Sequence, residues 1–173
     1  YIMSAGDSSY IDSMKTVSFL VIRNDSILYE TYRGNWNDSI TSNLYSATKS
    51  IVGMLTGIAL DEGKISRVDD KVMKYIPEYN KGKQKDITIR NLLTMSAGMD
   101  WDESYASLFS VTTHGYYGND LYELVMGLDI ADTPGIQYSY RSGETQLLAF
   151  VLEAATGQTI SKYAEQKLWQ PIM

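Results

Sequence analysis

The chain has 173 residues, 44% of them hydrophobic and 21% charged, and a formal net charge of −6. That length suits one domain, burying roughly 70% of its unfolded surface if complete. The acidic balance, with no Lys/Arg-rich run, argues against a nucleic-acid partner.

Cysteine is absent and His114 is the one histidine. Disulfides, thiol chemistry and a multi-histidine metal site are therefore excluded, and no metal or cofactor is expected. The longest mostly apolar stretch, residues 51–60, falls short of the roughly 18–20 residues of a membrane span.

In chain order, residues 16–23 and 27–33 read as two β-strands rich in Val, Ile and Phe or Tyr. They are joined at the turn signal Asn24-Asp25-Ser26. A polar loop follows, and then residues 46–62 carry a helical pattern stopped by Gly63. Gly53 and Gly57 lie four apart on that helix, and close packing of another backbone is expected against them. Residues 69–76 read as a short helix ended by Pro77, with Asp69-Asp70 suiting its dipole. Thr88 caps a helix to Met95, ended at Ala97-Gly98.

Residues 99–118 show no period and read as a long loop, with a helix over 119–128 after it. A turn at Thr133-Pro134-Gly135 leads to an extended piece over 137–140. Residues 144–155 form an apolar, buried helix stopped by Gly157, and Thr159 caps a final helix ending before Pro171. The organisation is a hairpin, about 16–33, and a mostly helical body, about 46–173, in one partial domain. Two strands alone do not make a stable sheet, so helices must cover them or further strands must come from sequence beyond this chain.

Ser46-Ala47-Thr48-Lys49 is the one Ser-x-x-Lys in the chain, and it opens the most apolar helical stretch. Residues three apart share a helix face, with Cβ atoms about 5–6 Å apart, so the Lys49 amine can meet the Ser46 hydroxyl. At the helix start, N–H groups and the positive dipole end favour a developing oxyanion. A lysine near its reference pKa of about 10.4 is a poor base, so burial or a nearby cation would have to lower it. Taken alone the tetrapeptide is weak: a chain of this length holds on the order of one chance match. Its bland reading is a helix cap followed by a solvated lysine.

A second motif changes that weighing. Tyr138-Ser139-Tyr140-Arg141-Ser142-Gly143 joins the extended piece to the buried helix. Tyr140 is a second proton-transfer candidate, its phenol kept acidic by a neighbouring ammonium, and Ser142 a donor to a substrate carbonyl. Tyr138 reads as core packing. Trp101 and Tyr105 are candidates to line the cleft.

With the hairpin, Leu44-Tyr45-Ser46-Ala47-Thr48-Lys49-Ser50, the run from Asp86 to Gly98, and Pro134-Gly135 with Tyr140-Arg141-Ser142-Gly143, the chain resembles the serine β-lactamase-related superfamily. The resemblance runs from about Ser18 to Met173. It implies an α+β, β-lactamase/transpeptidase-like fold, with an antiparallel sheet packed against a helical region. It further implies Ser46 as acylated nucleophile, Lys49 as its base partner and Tyr140 as the tyrosine of the Tyr-x-Asn motif.

Ser142 stands where Asn is usual, and the Tyr-Arg-Ser-Gly-Glu-Thr string is nearer the aminohexanoate-dimer hydrolase and esterase branch than true β-lactamases. The family's third motif, Lys-Thr-Gly or an equivalent on a strand, and the C-terminal strands are expected beyond this chain, in a remaining C-terminal part. The implied activity is serine hydrolysis of a small amide or ester; the resemblance favours a periplasmic or secreted setting and leaves a cytoplasmic one open. The alternatives are a D-alanyl-D-alanine peptidase and a non-catalytic binding or sensor domain. His114 reads as a surface or loop residue, and Asp100, Asp102 and Glu103 as a solvated acidic loop. Most of the fourteen tyrosines read as packing.

Overall fold

The computed structural model describes residues 3–172, and Tyr1, Ile2 and Met173 lie outside them. The chain divides into two compact units, residues 1–44 and 45–173.

The first unit begins with α1 (Ala5–Ser13), started by Ser4, whose hydroxyl accepts from Asp7 N–H. Strands β1 (Ser18–Arg23) and β2 (Ser26–Tyr32) pair antiparallel, Phe19 opposite Thr31 and Val21 opposite Tyr29. The expected turn is present: Asn24 and Asp25 both take positive φ, 51° and 57°. Two such residues match the right-handed twist of the strands they join. Arg33 ties the hairpin to α1, with Nε 2.9 Å from Asp12 and Nη2 donating to Ser8. Leu20, Ile22 and Ile27 are exposed on this two-stranded sheet.

The second unit is built on α2 (Ala47–Asp61) and α6 (Ser142–Thr156), which pack together. Between them come α3 (Ile89–Leu93), α4 (Val111–Tyr117) and α5 (Leu121–Gly127), and α7 (Ile160–Ala164) follows. The core joins Val52, Leu55 and Ala59 of α2 to Leu147, Leu148, Val151 and Leu152 of α6, with Ile89, Leu92, Tyr79 and Tyr163 around them. Gly63 and Gly157 end α2 and α6 as expected, both at positive φ.

Several expectations are corrected. Residues 69–76 hold only a 3₁₀ turn, Val72–Lys74. Their backbone pairs outward instead, Val72 N–H to Ile87 O and Ile89 N–H to Asp70 O. Asp70 is buried and accepts from Lys74, Tyr75 and Arg67 N–H, while Asp69 takes a two-pronged bond from Arg90. Tertiary pairing thus overrides the helix dipole as the use of both acids. The 99–118 stretch contains α4, whose cap Ser110 accepts from Thr113 N–H.

Gly53 and Gly57 meet no atom within 4 Å where a Cβ would stand, because α2 packs through its Val52, Leu55 and Ala59 face. The last helix runs on past Ala164 through a π turn, Glu165–Trp169, and Pro171 sits in the short turn Gln170–Ile172 after it. The widened turn admits a residue that has no N–H to give. Tyr138 is 68% exposed, and of the described tyrosines only Tyr79 and Tyr163 are fully buried. Among the described residues no helix is long and apolar enough to cross a membrane.

Candidate active site

Ser46 stands at the start of α2 as its cap residue, but its side chain makes no capping bond. The hydroxyl is left to the cleft. Before it, Tyr45 takes φ of 46°, a left-handed conformation that costs a side-chain-bearing residue about 1–2 kcal/mol. Such strain is held where the surrounding structure demands it, often at functional turns.

Lys49, one turn on, donates to Ser46 Oγ across 3.4 Å, a long hydrogen bond. Its Nζ also lies 4.9 Å from the centre of the Tyr140 ring. The phenol is drawn below its usual acidity range by hydrogen bonding with Ser46 and Lys49 and by the Lys49 charge. Burial and the Glu103 charge oppose this and are outweighed. Ser46, Lys49 and Tyr140 are therefore brought together, the third from ninety-odd residues down the chain.

Tyr140 reaches this point because the chain on either side of it is pinned. Ser139 N–H donates to Met95 O at 2.9 Å, and Arg141 Nη2 lies 2.6 Å from Asp132. Glu144, fully buried in the first turn of α6, accepts from the N–H groups of Ala97 and Gly98. Burial raises its pKa, and those amides and Arg141 offset part of the rise. The turn after α3 and the start of α6 are thus one hydrogen-bonded piece.

A cavity of about 260 Å³ opens beside Ser46, lined by Lys49, Trp101, Leu121, Ser142 and Thr145 among others. The Trp101 ring packs against the first turn of α6: a Cβ on Gly143 would overlap it and stand 2.7 Å from Met99 Sδ. A second cavity, about 400 Å³, shares Tyr45 and Ser46 and is walled by Tyr105, Tyr116 and Tyr117. The candidates Trp101 and Ser142 therefore border the first cavity and Tyr105 the second.

Ser142 Oγ–H donates to Glu103 Oε1 at 2.5 Å, so its proton is engaged there and not free for a substrate carbonyl. Glu103 corrects the reading of a solvated acidic loop. Its half-buried carboxylate accepts from Ser142 N–H, Ser142 Oγ–H and Tyr105 O–H. Tyr105, donating to that charge, is pushed up to about 12 and stays a neutral phenol. His114 is exposed on α4. Among the described residues no group of three or more His, Asp or Glu side chains is placed to hold a metal ion.

Comparison with known proteins follows the same lines. The sequence pattern of the Beta-lactamase family matches residues 9–173. The chain is 28% identical to the 6-aminohexanoate-dimer hydrolase of Paenarthrobacter ureafaciens over 165 residues, covering 89% of this chain and 42% of that protein. The octameric penicillin-binding protein homologue from Pyrococcus abyssi superposes with a TM-score of 0.76 at 21% identity, over 98% of this chain and 43% of that one. A D-stereospecific amidohydrolase from Streptomyces gives a TM-score of 0.67 at 23% identity, over 83% and 46%. The chain spans less than half the length of each of these relatives.

Proposed function

The chain belongs to the Beta-lactamase family of hydrolases, with a β-lactamase/transpeptidase-like α+β fold, and from that premise we propose that it is a serine hydrolase forming an acyl-enzyme on Ser46. The substrate is a small amide or ester. The observation that carries the reading is the meeting of Ser46, Lys49 and Tyr140 at one cavity edge.

In the proposed acylation, the Tyr140 phenolate, stabilised by the adjacent Lys49 ammonium, takes the Ser46 proton. Oγ then attacks the carbonyl carbon and forms the C–O bond. The N–H groups at the start of α2 stabilise the negative oxygen that develops. Collapse breaks the bond to the amine or alcohol, which leaves with the proton held by Tyr140 and Lys49. Water, activated by the same pair, then hydrolyses the ester on Ser46. Trp101 and Tyr105 bound the substrate, and Ser142 supports it from the α6 side.

Two things support small amides and esters over β-lactams. Ser142 replaces the usual Asn, and its hydroxyl proton is engaged by Glu103. In this reading the two units belong to one β-lactamase-like domain. The test is hydrolysis of p-nitrophenyl esters and acyl-D-alanyl-D-alanine by the intact protein. Ser46→Ala should abolish turnover above background; undiminished hydrolysis by that variant ends the proposal, and preference for the dipeptide would redirect it to a peptidase.

A further inference from the structure

Arg141, the residue at the N-cap of α6, contributes no side-chain cap. The first N–H of the helix is nonetheless satisfied from elsewhere. Ser142 N–H donates to Glu103 Oε2 at 2.7 Å, and Ser142 Oγ–H donates to Oε1 at 2.5 Å. Tyr105 O–H donates to the same Oε1, also at 2.5 Å. Glu103 thus caps a fifteen-residue helix from thirty-nine positions away. A carboxylate there meets both the orphan N–H groups and the positive end of the dipole.

Tyr140 lies two residues before that capped amide. On its other side the Ser139 N–H is held by the Met95 carbonyl. The phenol is therefore carried on a short span with an anchor at each end, one of them Glu103. We propose that Glu103 is a positioning residue that, by capping α6 from the loop after α3, holds the Tyr140 ring against Ser46 and Lys49. The inference deepens the serine-hydrolase reading and rests on it for its effect on reactivity.

The groups facing the Glu103 carboxylate are Lys49 from α2, Tyr105 from its own loop and Tyr140 from the approach to α6, with Tyr116 of α4 behind Tyr105. Arg141 turns instead to Asp132 and Glu144. Burial pushes the Glu103 carboxyl up, but the bonds from Ser142 and Tyr105 and the charge of Lys49 outweigh it, so the group stays ionised.

The test is NMR titration of the Tyr140 phenol in the intact protein carrying ¹³Cζ-tyrosine, assigned with Tyr140→Phe, in wild type, Glu103→Gln and Glu103→Ala. Glu103→Gln keeps one acceptor oxygen and loses the charge that opposes the phenolate, so Tyr140 titrates lower. Glu103→Ala loses the cap, the ring drifts from Ser46 and Lys49, and Tyr140 titrates higher, toward the ordinary value near 10. Shifts in opposite directions support the proposal; unchanged midpoints, or shifts in one direction in both, overturn it.

If Glu103→Ala does not fold, Glu103→Ser, whose side chain is too short to reach the Ser142 N–H, takes its place. A higher Tyr140 midpoint in that variant supports the proposal, and an unchanged or lower one overturns it. Phosphonate labelling of Ser46 should slow about 10–100-fold in Glu103→Ala, the scale of a misplaced catalytic group. A wild type that takes no phosphonate removes the hydrolase reading, while the phenol titration still judges Glu103.

Discussion

The Lys49 amine lies 4.9 Å from the centre of the Tyr140 ring, whose hydroxyl is hydrogen-bonded with Ser46 and Lys49. The hydrogen bond with Ser46 is the largest single cause of the phenol's lowered pKa, and Lys49 acts in the same direction through both a hydrogen bond and its charge. A folded-state pKa below 10 means that the phenolate forms at lower pH than in a free tyrosine. The rate of acylation should therefore rise with pH through a midpoint below 10. In Lys49→Met that midpoint should move upward, and the rate at pH 7.5 should fall by about 10²–10⁴-fold, the usual worth of positioned proton transfer. Stopped-flow acylation with an activated ester across pH 6–10.5 measures both.

Gly143 allows Trp101 to lie on the first turn of α6 with no space between them. Gly143→Ala places a methyl inside the indole ring's volume and against Met99. Overpacking of this kind costs about 1–3 kcal/mol, read as a lower midpoint in denaturant. Because Trp101 also lines the cavity, its fluorescence maximum should shift as the ring is pushed aside.

Asp70 is buried with Lys74, Tyr75 and the Arg67 N–H around its carboxylate. Burial alone would raise its pKa, but those partners outweigh it and bring it from 3.8 to about 2. The folded value lies below the unfolded one, so the carboxylate's contribution is present above about pH 4 and is lost as pH falls through 2. Asp70→Ala should destabilise the protein by about 1–3 kcal/mol at pH 7. The variant should also show a shallower loss of stability between about pH 4 and 2, measured by urea unfolding at each pH.

How far the sequence could be read depended on whether a feature is local. The Ser46–Lys49 approach follows from three residues of helix, the Asn24-Asp25 turn from two residues that tolerate positive φ, and the ends of α2 and α6 from Gly63 and Gly157. Tyr140 stands far from that pair in sequence; the turn before the buried helix made it a proton-transfer candidate, and the resemblance gave it a place beside Ser46 and Lys49. Glu103 was missed because its partner amide is thirty-nine residues away. The available signal was negative: Arg141 is a poor cap, so α6 needed an acceptor from outside. The 69–76 helix failed for the complementary reason, since Asp70 and Val72 spend their hydrogen bonds across the chain. α4 was hidden by Gly115, which reads as a loop residue but lets Trp101 approach to 3.1 Å of where its Cβ would stand.

The central claim is that Ser46 is the nucleophile, activated by Lys49 and Tyr140. Its most direct test is to treat the intact protein with a fluorophosphonate and locate the adduct by peptide mass spectrometry. The account predicts one adduct, on Ser46, lost in Ser46→Ala and formed far more slowly in Tyr140→Phe. An unmodified Ser46, or labelling on another residue that persists in Ser46→Ala, would contradict it.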